Sequence, residues 1–304
     1  MQLVRNGDVG DWRLQDAEFL STFTLPRSRW DFLARRNPVA RDARISFDEK
    51  EHVYHVDGIR VPRSVTGFLH AFTEEFNAYE AIVAMRHGYD WETKREKYLK
   101  EDGQVKTADE IANDWATNGA VQRARGQLLH FHAEQFLNGC EIEEPHSPEF
   151  KQFLQIYDVI YSKGWQIFRT EFSLFHCGLR IAGQADLLCR DSQGKFIIID
   201  WKRSREIRFN GFRPMKPPLE HLPDCNYYLY CLQLNLYAYI LESEYGFTVT
   251  HMILGVVHPQ RNNAQIIEVP RMSAEIRVLV EHEIAGGRAS EPSELAAPFV
   301  LTRR

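Results

Sequence analysis

A segment of ten residues, 194–203, constrains the fold most strongly. It reads Gly-Lys-Phe-Ile-Ile-Ile-Asp-Trp-Lys-Arg, and its run of four apolar residues, three of them β-branched, predicts a strand in the interior of a sheet. Because side chains alternate between the two faces of a strand, Asp200 and Lys202 project from the same face. A carboxylate and an ammonium group side by side at the end of a buried strand indicate a functional site.

The segment before it predicts a partner strand. Residues 179–190 are a second β-like run, and residues 191–194, Asp-Ser-Gln-Gly, form a four-residue turn rich in turn formers. Two antiparallel strands joined by this turn would bring Asp186 close to Asp200. The two carboxylates could then hold a hard divalent cation through oxygen ligands. Lys202 would stand beside the ion, where a substrate phosphate or an attacking water would lie.

These residues form a pattern of four short motifs. Gly183-x-x-Asp186 followed by Asp200-x-Lys202 resembles the core of the PD-(D/E)XK nuclease superfamily. An upstream Gly-x-x-x-His motif and a downstream Gln-x-x-x-Tyr motif narrow the resemblance to the RecB-like exonuclease branch. A chain of this length contains about one Asp-x-Lys by chance, so the prediction depends on the combination and its order.

The resemblance implies an α/β fold with a restriction-endonuclease-like core, in which helices flank a mixed sheet, and with helical additions on its N-terminal side. It implies a metal-dependent DNA nuclease that uses one or two Mg²⁺ or Mn²⁺ ions. The expected ligands are His130, Asp186, Asp200 and the main-chain carbonyl of Trp201. Lys202 would orient the attacking water or stabilise developing negative charge. An exonuclease acting on DNA ends or single strands is favoured over an endonuclease.

His130 belongs to the Gly-x-x-x-His motif on a predicted helix over residues 120–137. We expect that the missing side chain of Gly126, one turn earlier, lets this helix pack closely against a strand and directs His130 into the site. Glu134 shares a helix face with His130 and is either a further site residue or a structural one.

Glu171 lies in a strand predicted over residues 165–175 and is open to two interpretations. By the resemblance it is a catalytic residue near the metal cluster. It could equally be an ion-pair partner of Arg169 or Arg180.

The segment after the Asp-x-Lys motif predicts a substrate-binding loop. The formal net charge is −5, so nucleic-acid binding must come from local patches. Residues 202–216 contain six basic residues and one acid, and we expect Arg203, Arg205 and Arg208 to contact phosphates. The interleaved aromatic residues would stack on unpaired bases. An ordinary solvated loop is the alternative.

Two predicted helices carry further candidate substrate contacts. Ser64 and Thr66 open a helix whose free N–H groups could meet a DNA phosphate, although Ser64 could simply cap that helix. Gln233 and Tyr237 share one face of a helix over residues 226–246. They would hold the substrate phosphate or order Lys202.

The chain is expected to divide into four regions. Residues 1–60 form an N-terminal extension and a hairpin, residues 61–164 a helical region with the Gly-x-x-x-His motif, residues 165–285 the nuclease core and residues 286–304 a tail. The arginines of residues 1–43 belong either to a docked extension or to an arm that contacts phosphates.

Composition excludes several classes of protein. Five cysteines, without a Cys-x-x-Cys pair, argue against a disulfide framework and a structural zinc. No cysteine follows Tyr237, so we expect no iron–sulfur cluster of the kind that some RecB-like nucleases carry. We find no apolar signal core and no membrane-spanning stretch, which favours an intracellular protein without a membrane partner.

Two alternative functions remain open from the sequence. One is a catalytically silent nuclease-fold subunit that binds nucleic acid, and the other is an endonuclease of a mobile-element or defence system. For the favoured nuclease, DNA is the expected partner, and DNA repair or recombination, within a larger nucleic-acid-processing assembly, is the expected setting.

Overall fold

The computed structural model describes residues 12–24, 30–142 and 146–286. The chain divides into two compact units, one of residues 1–27 and 75–129 and the other of residues 28–74 and 130–304. The region boundaries expected after residues 60, 164 and 285 stay predictions. The tail expected over residues 287–304 lies outside the described residues, as do Arg27 and Arg29 of the expected arm.

The strands of the described residues fall into two parts of the chain, residues 45–64 and 166–268. Within the described residues, the α-helices are α1 (Asp16–Thr22), α2 (Phe32–Arg36), α3 (Val65–His70), α4 (Ala78–His87), α5 (Trp91–Lys94), α6 (Ala108–Leu137), α7 (Pro148–Ser162), α8 (Asn226–Tyr245) and α9 (Ser273–Ala285). The strands are β1 (Ile45–Asp48), β2 (Val53–Val56), β3 (Ile59–Arg60), β4 (Arg63–Ser64), β5 (Gln166–His176), β6 (Ile181–Arg190), β7 (Phe196–Arg203), β8 (Val249–Val257) and β9 (Gln265–Glu268).

The first unit contains α1, α4, α5 and most of α6. Residues 107–110, Thr-Ala-Asp-Glu, predict a capping box at the start of a helix. Helix α6 begins with it, since Glu110 accepts a hydrogen bond from the N–H of Thr107 and donates its own N–H to the Thr107 hydroxyl. The sequence predicted a second helix from residue 120, but α6 runs unbroken over 30 residues. Gly119 lies within it, because one glycine costs a helix only about 1 kcal/mol.

The second unit is built on a mixed sheet of six strands. Strands β4, β6, β7, β8 and β9 follow one another across the sheet, and β5 also pairs with β6. The β5–β6, β6–β7 and β8–β9 pairs are antiparallel, whereas β4–β6 and β7–β8 are parallel. The predicted fold class is therefore confirmed, and so is the hairpin of β6 and β7 around the turn at residues 191–194.

A buried apolar core joins this sheet to the helices of the same unit. Side chains of α3, α8 and α9 pack with those of β5 to β8 in one cluster. A separate antiparallel sheet of β1, β2 and β3 contains the hairpin predicted within residues 1–60, formed by β1 and β2. The ring of Trp30 packs edge-on against that of Phe131, and Arg41 forms an ion pair with Glu244, which supports the docked interpretation for residues 30–43. Among the described residues, no helix has the length and apolar character needed to cross a membrane.

Candidate functional site

The pairing of three adjacent strands places three carboxylates in one row of the sheet. The β6–β7 register pairs Leu187 with Ile199, so Asp186 and Asp200 occupy the next row. On the other side of β6, the register with β5 places Glu171 opposite Asp186. A row that crosses strands brings side chains within reach of each other, although these residues are 14 or more positions apart in the chain.

His130, on α6, completes a compact cluster with two of these carboxylates. Its Nδ1 lies 3.4 Å from Glu171 Oε1 and 3.6 Å from Asp186 Oδ1. One ligand atom from each of the three residues lies within 4.8 Å of the others. Arg169, which the sequence offered as an ion-pair partner of Glu171, pairs with Asp42 at 2.8 Å. Glu171 faces the cluster, where its neighbour is His130. Glu134 is buried and lies outside this trio.

Asp200 is a fully buried carboxylate with an incomplete set of partners. Its Oδ2 lies 2.7 Å from Lys202 Nζ, whereas its Oδ1 meets no hydrogen-bond donor among the described residues. Burial raises the pKa of Asp200 to about 6, with the charge of Asp186 adding to the effect and that of Lys202 opposing it. A buried acceptor oxygen without a donor is costly, so this donor set fits a hard divalent cation.

Asp186 contacts the main chain of β7 at Trp201 and the side chain of His130. Its Oδ2 accepts a hydrogen bond of 2.9 Å from the N–H of Trp201, and its Oδ1 is the oxygen near His130. Burial raises the pKa of Asp186 against the opposing charges of His130 and Lys202. Trp201 is itself fully buried and packs edge-on against His130. The proposed ligand role of its carbonyl stays a prediction.

The two basic side chains of the site stay charged in this field. Burial alone would lower the pKa of His130, but Asp186 and Glu171 outweigh it and raise the pKa to about 9. Burial likewise opposes the charge of Lys202, and Asp200 and Asp186 outweigh it, so the pKa of Lys202 lies above its ordinary value. In the metal-free protein, Lys202 is therefore an ammonium group and not a base.

Gln233 and Tyr237 are buried between α8 and the sheet. Gln233 Nε2 donates a hydrogen bond of 2.9 Å to the Tyr237 hydroxyl. A Cβ added to Gly183 would lie 2.7 Å from a ring carbon of Tyr237, so the strand that carries Asp186 can approach α8 only with glycine at this position. The expected role of Gln233 and Tyr237, to hold the substrate phosphate or to order Lys202, stays a prediction.

Gly126 does not play the packing role expected of it. A Cβ added to Gly126 would meet no described atom within 4 Å, so the explanation given for His130 from the sequence was wrong. The close approach that only glycine permits occurs at Gly183.

Ser64 caps α3, since its hydroxyl accepts a hydrogen bond of 2.9 Å from the N–H of Gly67. The capping interpretation is thus confirmed. Thr66 lies beside Gln233, with 3.4 Å between Thr66 Oγ1 and Gln233 Nε2. Contact of Ser64 and Thr66 with a phosphate stays a prediction.

The expected basic loop separates into buried and exposed arginines. Arg203 is only 5% exposed, and its Nε lies 2.7 Å from Glu149 Oε1 on α7. The expected phosphate contact of Arg203 is therefore corrected, because its guanidinium is held in a buried ion pair. Arg205 and Arg208 are exposed and line a cavity of about 670 Å³ together with the fully exposed Phe212.

Tyr230 is a site residue that the sequence analysis missed. It lies one turn before Gln233 on α8, and the ammonium nitrogen of Lys202 lies 5.5 Å from the centre of its ring. A cation at this distance from an aromatic face is attracted to it. The spacing of Tyr230, Gln233 and Tyr237 places all three near one helix face, and this was the available signal.

Comparison with known proteins gives a match to a family model and matches to several solved structures. Residues 150–282 match the sequence model of the PD-(D/E)XK nuclease superfamily. No curated protein matches the chain. The crystal structure of a candidate exonuclease from Eubacterium rectale has a TM-score of 0.30 and 10% identity, covering 71% of this chain and 68% of that one. The crystal structure of SSO0001 has a TM-score of 0.28 and 18% identity, covering 67% and 90%. Likeness at this level does not transfer an activity to this chain.

Proposed function

We propose that this chain, whose residues 150–282 match the sequence model of the PD-(D/E)XK nuclease superfamily, is a metal-dependent DNA nuclease of that superfamily. We propose further that it acts as an exonuclease on DNA ends or single strands. The superfamily accounts for hydrolysis of phosphodiester bonds. The metal dependence, the DNA substrate and the exonuclease mode are proposals that go beyond the match to the superfamily.

The cluster at the row of carboxylates carries this proposal. His130, Glu171 and Asp186 offer three ligand atoms within 4.8 Å of each other. Asp200 adds a buried oxygen that has no donor among the described residues. Packing like charges together inside a protein is unfavourable unless a cation or a proton compensates them. We therefore assign a Mg²⁺ or Mn²⁺ site to this cluster.

His130, Glu171, Asp186 and Asp200 would hold one or two such ions, with the carbonyl of Trp201 as a further ligand. Oxygen ligands suit Mg²⁺, and an imidazole ligand shifts the preference somewhat towards Mn²⁺. A bound ion would act as a Lewis acid that favours ionised water as the nucleophile and neutralises charge on the phosphate.

Lys202 contributes a fixed positive charge next to the row. Its ammonium group is held by Asp200 Oδ2 at 2.7 Å and by the ring of Tyr230, and its side chain keeps 20% of its surface exposed. It can therefore face a phosphate while its other side is anchored. A preorganised cation of this kind stabilises negative charge as it develops on the phosphate oxygens.

The loop after β7 supports a nucleic-acid substrate. Arg205 and Arg208 are exposed and line a cavity whose first lining residue, Ser204, lies two positions after Lys202. Cationic side chains in this place can follow a phosphate backbone. Phe209 and Phe212 are exposed on the same loop and offer rings for stacking on unpaired bases. The resemblance to RecB-like nucleases leads us to expect a role in DNA repair or recombination, within a larger assembly.

The test is an incubation with end-labelled DNA in Mg²⁺ or Mn²⁺. Linear single-stranded and duplex DNA are compared with closed circular DNA of the same sequence, and the Lys202→Ala protein controls for contaminating nucleases. An exonuclease shortens the linear DNA from an end and leaves the circles intact. Cutting of circles would identify an endonuclease, and tight binding without any product would identify a silent subunit.

A further inference from the structure

Glu171 has a backbone conformation that is unusual for its position. Its φ is +43°, in the left-handed region where the Cβ of an L-residue crowds its own backbone. Of the four non-glycine residues with positive φ in the described ranges, Glu171 alone lies inside a strand. Such a conformation persists only when its surroundings hold it, and it is concentrated at functional sites.

The side chain of Glu171 nonetheless lies within the cluster, close to His130 and Asp186. Its Oε1 lies 3.4 Å from His130 Nδ1, and its ligand atom belongs to the trio with Asp186. The unfavourable conformation and the cluster therefore occur at the same residue.

The side chain of Gln184 forms a hydrogen bond to the main chain of Glu171. It lies on β6, two residues before Asp186, and its Nε2 donates a hydrogen bond of 2.9 Å to the main-chain oxygen of Glu171. A main-chain oxygen in a distorted strand still needs a donor. The bond therefore ties the backbone of Glu171 to the strand that carries Asp186.

We propose that Gln184 is a positioning residue: it holds Glu171 in its left-handed conformation so that the carboxylate completes the cation site with His130 and Asp186. The proposal rests on the proposed function only in requiring that this cluster binds a divalent cation.

The first test measures Mn²⁺ affinity by titration calorimetry. Gln184→Met keeps the length of the side chain and removes the donor, and it should weaken Mn²⁺ binding about 10- to 100-fold, as loss of a partner behind a metal ligand commonly does. Gln184→Ala should show the same effect. The matched control is Gln155→Ala, which removes an amide that bonds the loop before β9 and should leave the affinity unchanged.

A double-mutant cycle separates positioning from general structural support. Once Glu171→Gln has removed the carboxylate, Gln184→Met should have little further effect on Mn²⁺ affinity. An equal loss in both backgrounds would overturn the proposal, and so would full affinity in Gln184→Met.

The strain is tested without metal and without activity. Glu171→Gly and Glu171→Ala both remove the carboxylate, but only glycine adopts positive φ freely. The Glu171→Gly protein should therefore melt at a higher temperature than the Glu171→Ala protein in excess chelator. Equal melting temperatures would contradict the assignment. If the wild-type protein binds no Mn²⁺ at all, the metal site of the proposed function fails too, whereas wild-type binding with an indifferent Gln184 removes this inference alone.

Discussion

Two neighbouring residues at the end of β7 form ion pairs of the same length that differ in their surroundings and in their exposure. Lys202 pairs with Asp200, and Arg203 pairs with Glu149, each at 2.7 Å. Because consecutive residues of a strand face opposite sides of the sheet, one pair belongs to the carboxylate row and the other to the interface with α7. Lys202 keeps 20% of its side chain exposed, whereas Arg203 keeps 5%.

The difference indicates which pair is structural and which is functional. Arg203 and Glu149 match one cation with one anion. Lys202 and Asp200 lie in a cluster with further carboxylates, where one buried oxygen of Asp200 meets no donor among the described residues. We call the Arg203–Glu149 pair closed, because each charge has its partner, and the Lys202–Asp200 pair open, because it lies among further carboxylates. Breaking the closed pair should therefore cost stability, and breaking the open pair should cost activity.

The largest effect is expected at the closed pair. Arg203→Ala would leave Glu149 as an unpaired buried charge, so the free energy of unfolding should fall by about 3–5 kcal/mol, measured by urea denaturation. Replacing both partners, as in Arg203→Met with Glu149→Met, should recover most of the loss, because no buried charge remains. A loss under about 1 kcal/mol in the single variant would show that the pair is not structural.

At the open pair, the expected effect is on the rate of cleavage. Lys202→Ala should lower the single-turnover rate on labelled DNA about 10²- to 10³-fold, as loss of a preorganised charge-stabilising group does. DNA binding and the melting temperature should change little. Unchanged cleavage by the purified variant would remove Lys202 from the site and leave the comparison without its functional half.

Local sequence patterns were sufficient for β6, β7 and their antiparallel pairing. The apolar run before Asp200, the turn at residues 191–194 and the alternation of side chains on a strand place Asp186 and Asp200 in one row. The capping box at Thr107 set the start of α6 in the same way. Each of these patterns is local, and local physics decides it.

Other features depend on contacts between distant parts of the chain. The partner of Arg203 lies on α7, and the ring that requires Gly183 lies on α8, so neither follows from local spacing. For this reason local patterns predicted a phosphate contact for Arg203 and close packing at Gly126, and neither is observed. The left-handed backbone of Glu171 has no local signal at all, because the sequence has no glycine there.

A third prediction concerns the charge of Asp200 in the metal-free protein. Its folded pKa of about 6 lies above the ordinary value of about 3.9, so its contribution to stability is complete below about pH 4 and is lost as the pH rises to about 6. The loss should be roughly 3 kcal/mol in chelator, because the two pKa values differ by about 2 and each tenfold step corresponds to about 1.4 kcal/mol. Asp200→Asn should flatten this dependence of stability on pH. Asp186, whose pKa is also raised, keeps its own share in both proteins. Identical pH curves for the two proteins would show that Asp200 does not titrate in this way.

The exposed arginines that follow the two pairs give a smaller effect. If Arg205 and Arg208 each neutralise one phosphate, replacing both by alanine should reduce the slope of log affinity against log salt by about 1.4 for single-stranded DNA. Lys50→Ala with Arg60→Ala removes two exposed charges from the small sheet as a control. An unchanged slope in the first variant would remove the loop from the DNA-binding surface.

The smallest effect tests how Lys202 is held. Its ammonium group faces the ring of Tyr230 at 5.5 Å, and such a contact contributes about 0.5–1 kcal/mol. Tyr230→Leu should therefore slow single-turnover cleavage about two- to fivefold, whereas Tyr230→Phe keeps the ring and should stay near the wild-type rate. Tyr239→Leu is the control, because that ring stacks on His176. If Tyr230→Phe is as slow as Tyr230→Leu, the hydroxyl and not the ring is the part of Tyr230 that acts. Lys202 would then depend on Asp200 alone for its position, as Arg203 depends on Glu149.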